Sequence, residues 1–271
     1  SVIMISNLMA ILLQALSVRL GIASGRDLAQ ACRDHYSRPV TVALWVLCEI
    51  AIAACDLAEV IGAAIALNLL FHMQLMLGAV ITGTFAMWHL SLKERSGVRR
   101  FEFVIFFLIM MTAFGFSSGL SINPIDMRAS LNGLLPGFAG ANSLLIAAGI
   151  FGATIMPRAI YAHSALCRDR YADRISIHQR KVSLRATKID VTLAMVFAAV
   201  INIIIFLTGA SVLGGKSVKD PISAVYRTLH SNIGVFAAVM FGLGLLACGF
   251  ASSSVGTFAS GVIGEGLINF K

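Results

Sequence analysis

The sequence predicts an all-α polytopic membrane protein, and three observations carry that prediction. Hydrophobic residues make up 58% of the 271 and charged residues 13%, with mean hydropathy +0.87; a soluble domain is about half apolar and a quarter charged. The apolar residues gather in seven segments, each near or above the roughly 20 residues that a helix needs to cross a bilayer. The Lys and Arg residues behind the net charge of +8 sit largely in short connections between those segments, where they set topology. No basic face with interleaved aromatics is present, so nucleic acid is not a partner and the lipid bilayer is. Cys32, Cys48, Cys55, Cys167 and Cys248 lie mostly inside apolar segments and form no C-x-x-C pair, which implies neither a disulfide framework nor a zinc site.

Taken in order, the first segment runs from about Val2 to Leu20. The second, Val40 to Phe71, is long for a span and must tilt or extend beyond the membrane. The third covers Gln74 to Leu92, the fourth Phe101 to Leu120, and the fifth Leu144 to Leu166, with Pro157 inside it. The sixth is Val191 to Leu213 and the seventh Ile233 to Ile268. Three connections are basic: Arg19, Arg26, Arg33 and Arg38; Lys93, Arg95, Arg99 and Arg100; and the stretch from Arg168 to Lys188. The alternate ones hold only Arg128, then Lys216, Lys219 and Arg227. The basic connections are therefore assigned to the cytoplasm and Ser1 to the outer side. Asn123 to Asn142 reads as an ordered external loop, and Lys219 to Leu229 as a short amphipathic helix against the outer surface. The apolar start at Ser1 and the abrupt end at Lys271 read as an internal piece of a longer chain.

Proline inside the fifth segment removes a backbone donor and clashes with the preceding turn, so the helix kinks or breaks there. In lipid a break is tolerated only where the freed groups face protein or a wet cavity, and broken midplane helices are where transporters build ion sites. Met156, next to that break, is a soft thioether suited to transition metals; the alternative is a simple kink with Met156 as packing. Ionisable residues in spans are functional candidates by default. Glu49, Asp56 and Glu59 fall within about a quarter-turn of one another on the second segment. One acidic stripe results, and burial keeps part of it protonated, as a proton relay requires. His163, seven residues after Met156, either passes protons or is a satisfied interfacial histidine. Arg158 must face a cavity or pair with an acid, with Asp56 or Glu59 as partners, while Arg170 belongs to the cytoplasmic end or serves as an internal cation. Asn202 bridges helices or lines a path, and the run Ala251 to Thr257, with Ser252 and Ser253, either packs closely or lines an aqueous route.

Met156-Pro157 with Ala153 before it, Asp56-Leu-Ala-Glu59, and Ser252-Ser-Ser-Val-Gly-Thr257 together resemble the Nramp family of divalent metal transporters, of the bacterial MntH type. Asn7-Leu-Met-Ala, Leu20-Gly-Ile-Ala-Ser-Gly25, Ile61-Gly-Ala-Ala and Tyr161-Ala-His-Ser-Ala fit the same family in the same order. The resemblance implies a LeuT-type inverted-repeat fold, with these segments as helices two to eight. It makes residues 1–271 one transmembrane domain truncated at both ends, with residues 1–122 in the first repeat and 143–271 in the second. It implies that Met156 and the Ala153 carbonyl bind metal, that Asp56, Glu59 and Glu49 carry protons on a route that includes Arg158 and has His163 and Arg170 near its inner end, and that Asn202 approaches the metal. The family's first helix, with its Asp-Pro-Gly-Asn motif and two further ligands, is not in this sequence. The family usually has His where Arg158 stands.

The expected function is proton-coupled import of Mn²⁺ or Fe²⁺ by alternating access in a bacterial inner membrane, with the metal as substrate, protons as the coupling ion and no resident cofactor. Two alternatives stay open: a non-transporting or sensor homologue with Arg158 in the cation site, and an organic-substrate transporter such as one for amino acids. No H-E-x-x-H or His/Cys ligand cluster points to an enzyme.

Overall fold

The computed structural model describes residues 1–96, 98–117, 141–171, 177–213 and 220–269, and every described element is an α-helix. Helix α1, Val2–Ser24, ends on Gly25, whose φ of 69° is the left-handed conformation that glycine adopts without penalty. A short helix, α2 (Leu28–His35), follows inside what the sequence suggested was a loop. Asp27 starts it with a capping box: its carboxylate accepts from the Gln30 amide while the Gln30 side chain reaches back. Helix α3, Arg38–Phe71, has 34 residues; at 1.5 Å per residue that is about 51 Å, well beyond the ~30 Å hydrocarbon core, as its long apolar run required.

Helices α4 (Leu75–Ser96) and α5 (Val98–Ser117) follow. The fifth segment is two helices, α6 (Ala141–Thr154) and α7 (Pro157–Tyr171). Helix α8, Ile177–Leu213, begins about 14 residues before the apolar segment does, so most of the basic stretch expected to be a loop is helical. Helix α9, Pro221–Asn232, is the expected amphipathic helix, with Asp220 as its cap and Val225 and Leu229 buried. Helix α10 is Val235–Ile268. Among the described residues five stretches are long and apolar enough to cross a membrane, the broken segment counted as one, and Leu75–Ser91 and Phe103–Ser117 are shorter apolar helices. The expected external loop from Asn123 lies almost wholly outside the described residues, as do Arg128, Lys216 and Lys219.

The chain packs as two compact units: residues 1–55, 133–199 and 258–271, and residues 56–132 and 200–257. Each draws on both halves of the sequence, whereas the expected repeats concern internal symmetry, a different property. In the first unit small residues let backbones meet. A Cβ on Gly21 would lie 2.6 Å from the Ser164 carbonyl oxygen, and one on Gly266 would lie 2.3 Å from the Ala29 Cβ. Ser17 Oγ donates to the Ile160 carbonyl at 2.7 Å, and the Leu28 amide donates to Ser164 Oγ at 3.0 Å. Buried Asp27 also pairs with Arg168. In the second unit Gly115 meets Met240 and Gly244 of α10 closely. Phe85 stacks on Phe250 at 4.1 Å, and α9 seats Val225 and Leu229 against Phe116 and Phe241.

Candidate metal site at the helix break

The break follows from covalent chemistry. A helical carbonyl accepts from the amide four residues on, and for Ala153 that residue is Pro157, which has no N–H to give. The last helical bond of this turn runs from the Ile155 amide to the Phe151 carbonyl at 2.9 Å, and the chain re-enters a helix with the Ala159 amide on the Met156 carbonyl at 3.1 Å. Ile155 and Met156 lie between α6 and α7, with Met156 half-buried and Ala153 exposed. A hard carbonyl oxygen released from its helix thus stands three residues from a soft thioether. That donor pair suits a borderline transition-metal dication better than Ca²⁺ or Mg²⁺.

Arg158 is 4% exposed, and its Nη2 donates to Met156 Sδ at 3.4 Å. A cation therefore already engages the sulfur that the sequence reading assigns to metal. Further along α7, His163 Nδ1 lies 2.7 Å from Gln14 Oε1 of α1, with the charges of Asp190 and Arg170 in electrostatic reach. Gln14 is buried; a polar residue in the first apolar segment was the signal that pointed to it, and the sequence reading passed over it. Arg170 is exposed at the end of α7. Tyr161 and Cys48 share one buried apolar cluster, with Cys32 packed against it. Burial pushes the Cys32 thiol up, with the Tyr161 hydrogen bond opposing.

Glu49 accepts from Ser260 Oγ at 2.8 Å and lines a cavity of about 670 Å³ with Trp45, Ser260 and Glu265. Ser260 was also missed, since nothing local to α10 distinguishes it from its neighbouring small residues. Ala153, Met156, Arg158, His163, Arg170 and Glu49 all belong to the first compact unit. Asp56 and Glu59, half-buried one turn apart on α3, belong to the second, as do Asn202, half-buried on α8, and Ser252 and Ser253 on α10. Among the described residues no group of three or more His, Cys, Asp or Glu side chains converges as a metal cage.

The natural resistance-associated macrophage protein-like (Nramp) family profile matches residues 1–271. The divalent metal cation transporter MntH of Mycobacterium tuberculosis is 42% identical over 270 residues, covering all of this chain and 63% of that protein. The protein of the same name from Nostoc sp. is 41% identical over 278 residues, covering 62% of its length. A crystal structure of the Eremococcus coleocola manganese transporter, in complex with an aromatic bis-isothiourea substituted compound, superposes with a TM-score of 0.85 at 34% identity, covering all of this chain and 59% of that one. The chain thus spans less than two thirds of the length of these relatives. The likeness over the whole chain bears out the expected all-α, LeuT-type membrane fold.

Proposed function

The chain belongs to the Nramp family, and on that footing we propose that it forms the central part of a proton-coupled importer of Mn²⁺ or Fe²⁺ working by alternating access in a bacterial inner membrane. The supporting observation is the break itself: Ala153 loses its helical donor to Pro157, and half-buried Met156 stands in the gap. These two residues supply half of the metal site, the rest coming from segments of the protein outside residues 1–271. The α6 and α7 halves pivot about Met156-Pro157, and protons pass separately along Asp56 and Glu59, with Glu49, His163 and Arg170 toward the basic end. Gln14 holds the His163 ring in place, leaving Nε2 to exchange the proton. In the full-length protein reconstituted in liposomes, Met156→Ala lowers Mn²⁺ uptake roughly tenfold or more with folding intact and erodes discrimination against Mg²⁺. Unchanged uptake and selectivity in that variant overturn the assignment.

The contact between Arg158 and Met156 favours a second reading, a non-transporting or sensor homologue in which the guanidinium takes the cation's place. Arg158→His separates the two. In a transporter, wild type takes up Mn²⁺ and the variant alters its affinity; in the sensor, uptake is absent from wild type and appears only with histidine.

A further inference from the structure

Helices α1 and α8 enclose a cavity of about 1180 Å³ that the metal site does not use. Its walls are two helix faces. Leu12, Ala15, Leu16 and Arg19 of α1, and Val182, Arg185, Ala186 and Ile189 of α8, each follow the i, i+3, i+4, i+7 spacing that puts residues on one side of a helix. Lys188 adds a third cation. Leu12, Leu16, Val182 and Ile189 are exposed, so the walls present hydrocarbon to whatever fills the space. Val18 and Leu184 also line it and join its wall to an apolar cluster with Ile22, Cys167 and Val191.

Charge and size define the occupant. None of Arg19, Arg185 and Lys188 has an ion-pair partner among the described residues. Asp190, the nearest acid in sequence, lies about 200° around the helix from Lys188 and acts on His163 and Cys167. Three cations over apolar walls match one phosphate-bearing head with hydrocarbon attached. The volume exceeds the roughly 300–1,000 Å³ of ordinary small-molecule pockets. Basic pockets between helices at a membrane's basic face suit anionic lipid heads. We propose that this cavity binds an anionic phospholipid from the leaflet that the basic connections face, its phosphate held by Arg19, Arg185 and Lys188 and an acyl chain lying along Leu12, Leu16 and Ile189. The inference stands apart from the transport reading and survives its failure.

Native mass spectrometry of the delipidated full-length protein tests it, with dioleoyl-phosphatidylglycerol against dioleoyl-phosphatidylcholine at equal concentration. The expected result is retention of phosphatidylglycerol at roughly tenfold lower concentration. Arg19→Gln/Arg185→Gln/Lys188→Gln together lower that retention roughly tenfold, to the phosphatidylcholine level, within what about 1 kcal/mol of attraction per cation supplies, and leave phosphatidylcholine unchanged. Arg38→Gln, which neutralises a basic residue outside the cavity, leaves the preference intact. Ala186→Trp projects a ring into the cavity with all three charges kept, so it reports even where the triple variant does not fold, and it weakens the preference. Equal retention of the two lipids by wild type overturns the proposal, as does full preference in either cavity variant. Displacement of the lipid by an equal concentration of inorganic phosphate overturns it in favour of a free-anion site.

Discussion

Asp27 serves two groups with one buried carboxylate. It accepts from the Gln30 amide at 2.8 Å to cap α2, pairs with Arg168 of α7, and is 2% exposed. Arg168 keeps a second acid, Asp169, at 2.7 Å, so removing Asp27 leaves the guanidinium partly paired. Asp27→Ala is expected to cost about 2 kcal/mol, a cap plus part of a buried ion pair; thermal unfolding in detergent reads it, and an unchanged midpoint counts against the latch. Legibility at this scale depended on whether a residue acts through its own chain. Pro157 dictates the break and frees Ala153 by its covalent structure alone, so both were readable. The partnerships of His163 with Gln14 and Glu49 with Ser260 join residues 149 and 211 positions apart, and no spacing rule reaches that far. Arg158 was legible as an anomaly, but its contact with Met156 needed the geometry of the break.

Elements were readable where hydropathy is periodic and unreadable where capping or polar sequence defines them. Helix α9 was foreseen from its apolar residues and its Asp-Pro start. Helix α2 and the first turns of α8 were taken for loop because they are polar, yet Asp27 supplies a cap and tertiary contacts hold the rest. Asp220 accepts from the Ser223 amide at 3.2 Å, and hydrogen bonds from the Ser223 side chain and amide hold its carboxyl below the ordinary aspartate value. Because the folded value is depressed, the cap's contribution is complete above the unfolded value of ~3.9 and is lost as pH falls through the folded one. Protection of α9 amides, relative to the intrinsic exchange rate at the same pH, therefore falls below about pH 4 in wild type, while Asp220→Ala, costing about 1 kcal/mol, shows the lowered protection already at neutral pH. The crossing of α1 on α7 is set by Gly21, where a Cβ would sit 2.6 Å from the Ser164 oxygen. Backbone cannot yield as a side-chain tip does, so Gly21→Ala is expected to destabilise by about 1–3 kcal/mol. A thermal midpoint equal to wild type would show that the crossing is looser than drawn.

For the whole molecule, the order of the apolar helices was legible because each depends on about 20 consecutive residues. The partition into two compact units was not, since α3, α8 and α10 each give residues to both and hydropathy carries no information on that division. Within the first unit, α2 is tied to two helices at once. It joins α7 through Asp27 to Arg168 and the Leu28 amide to Ser164. It joins α10 through the close approach of Ala29 to Gly266 and through Arg33 Nη1, which donates to the Glu265 carbonyl at 3.3 Å. A swing of α7 about Pro157 is therefore geared. If the two halves of the broken segment pivot as proposed, the small helix is the bracket that would hand the rotation to the last turns of α10, and α7 would travel in a cassette of three helices instead of as a free rod.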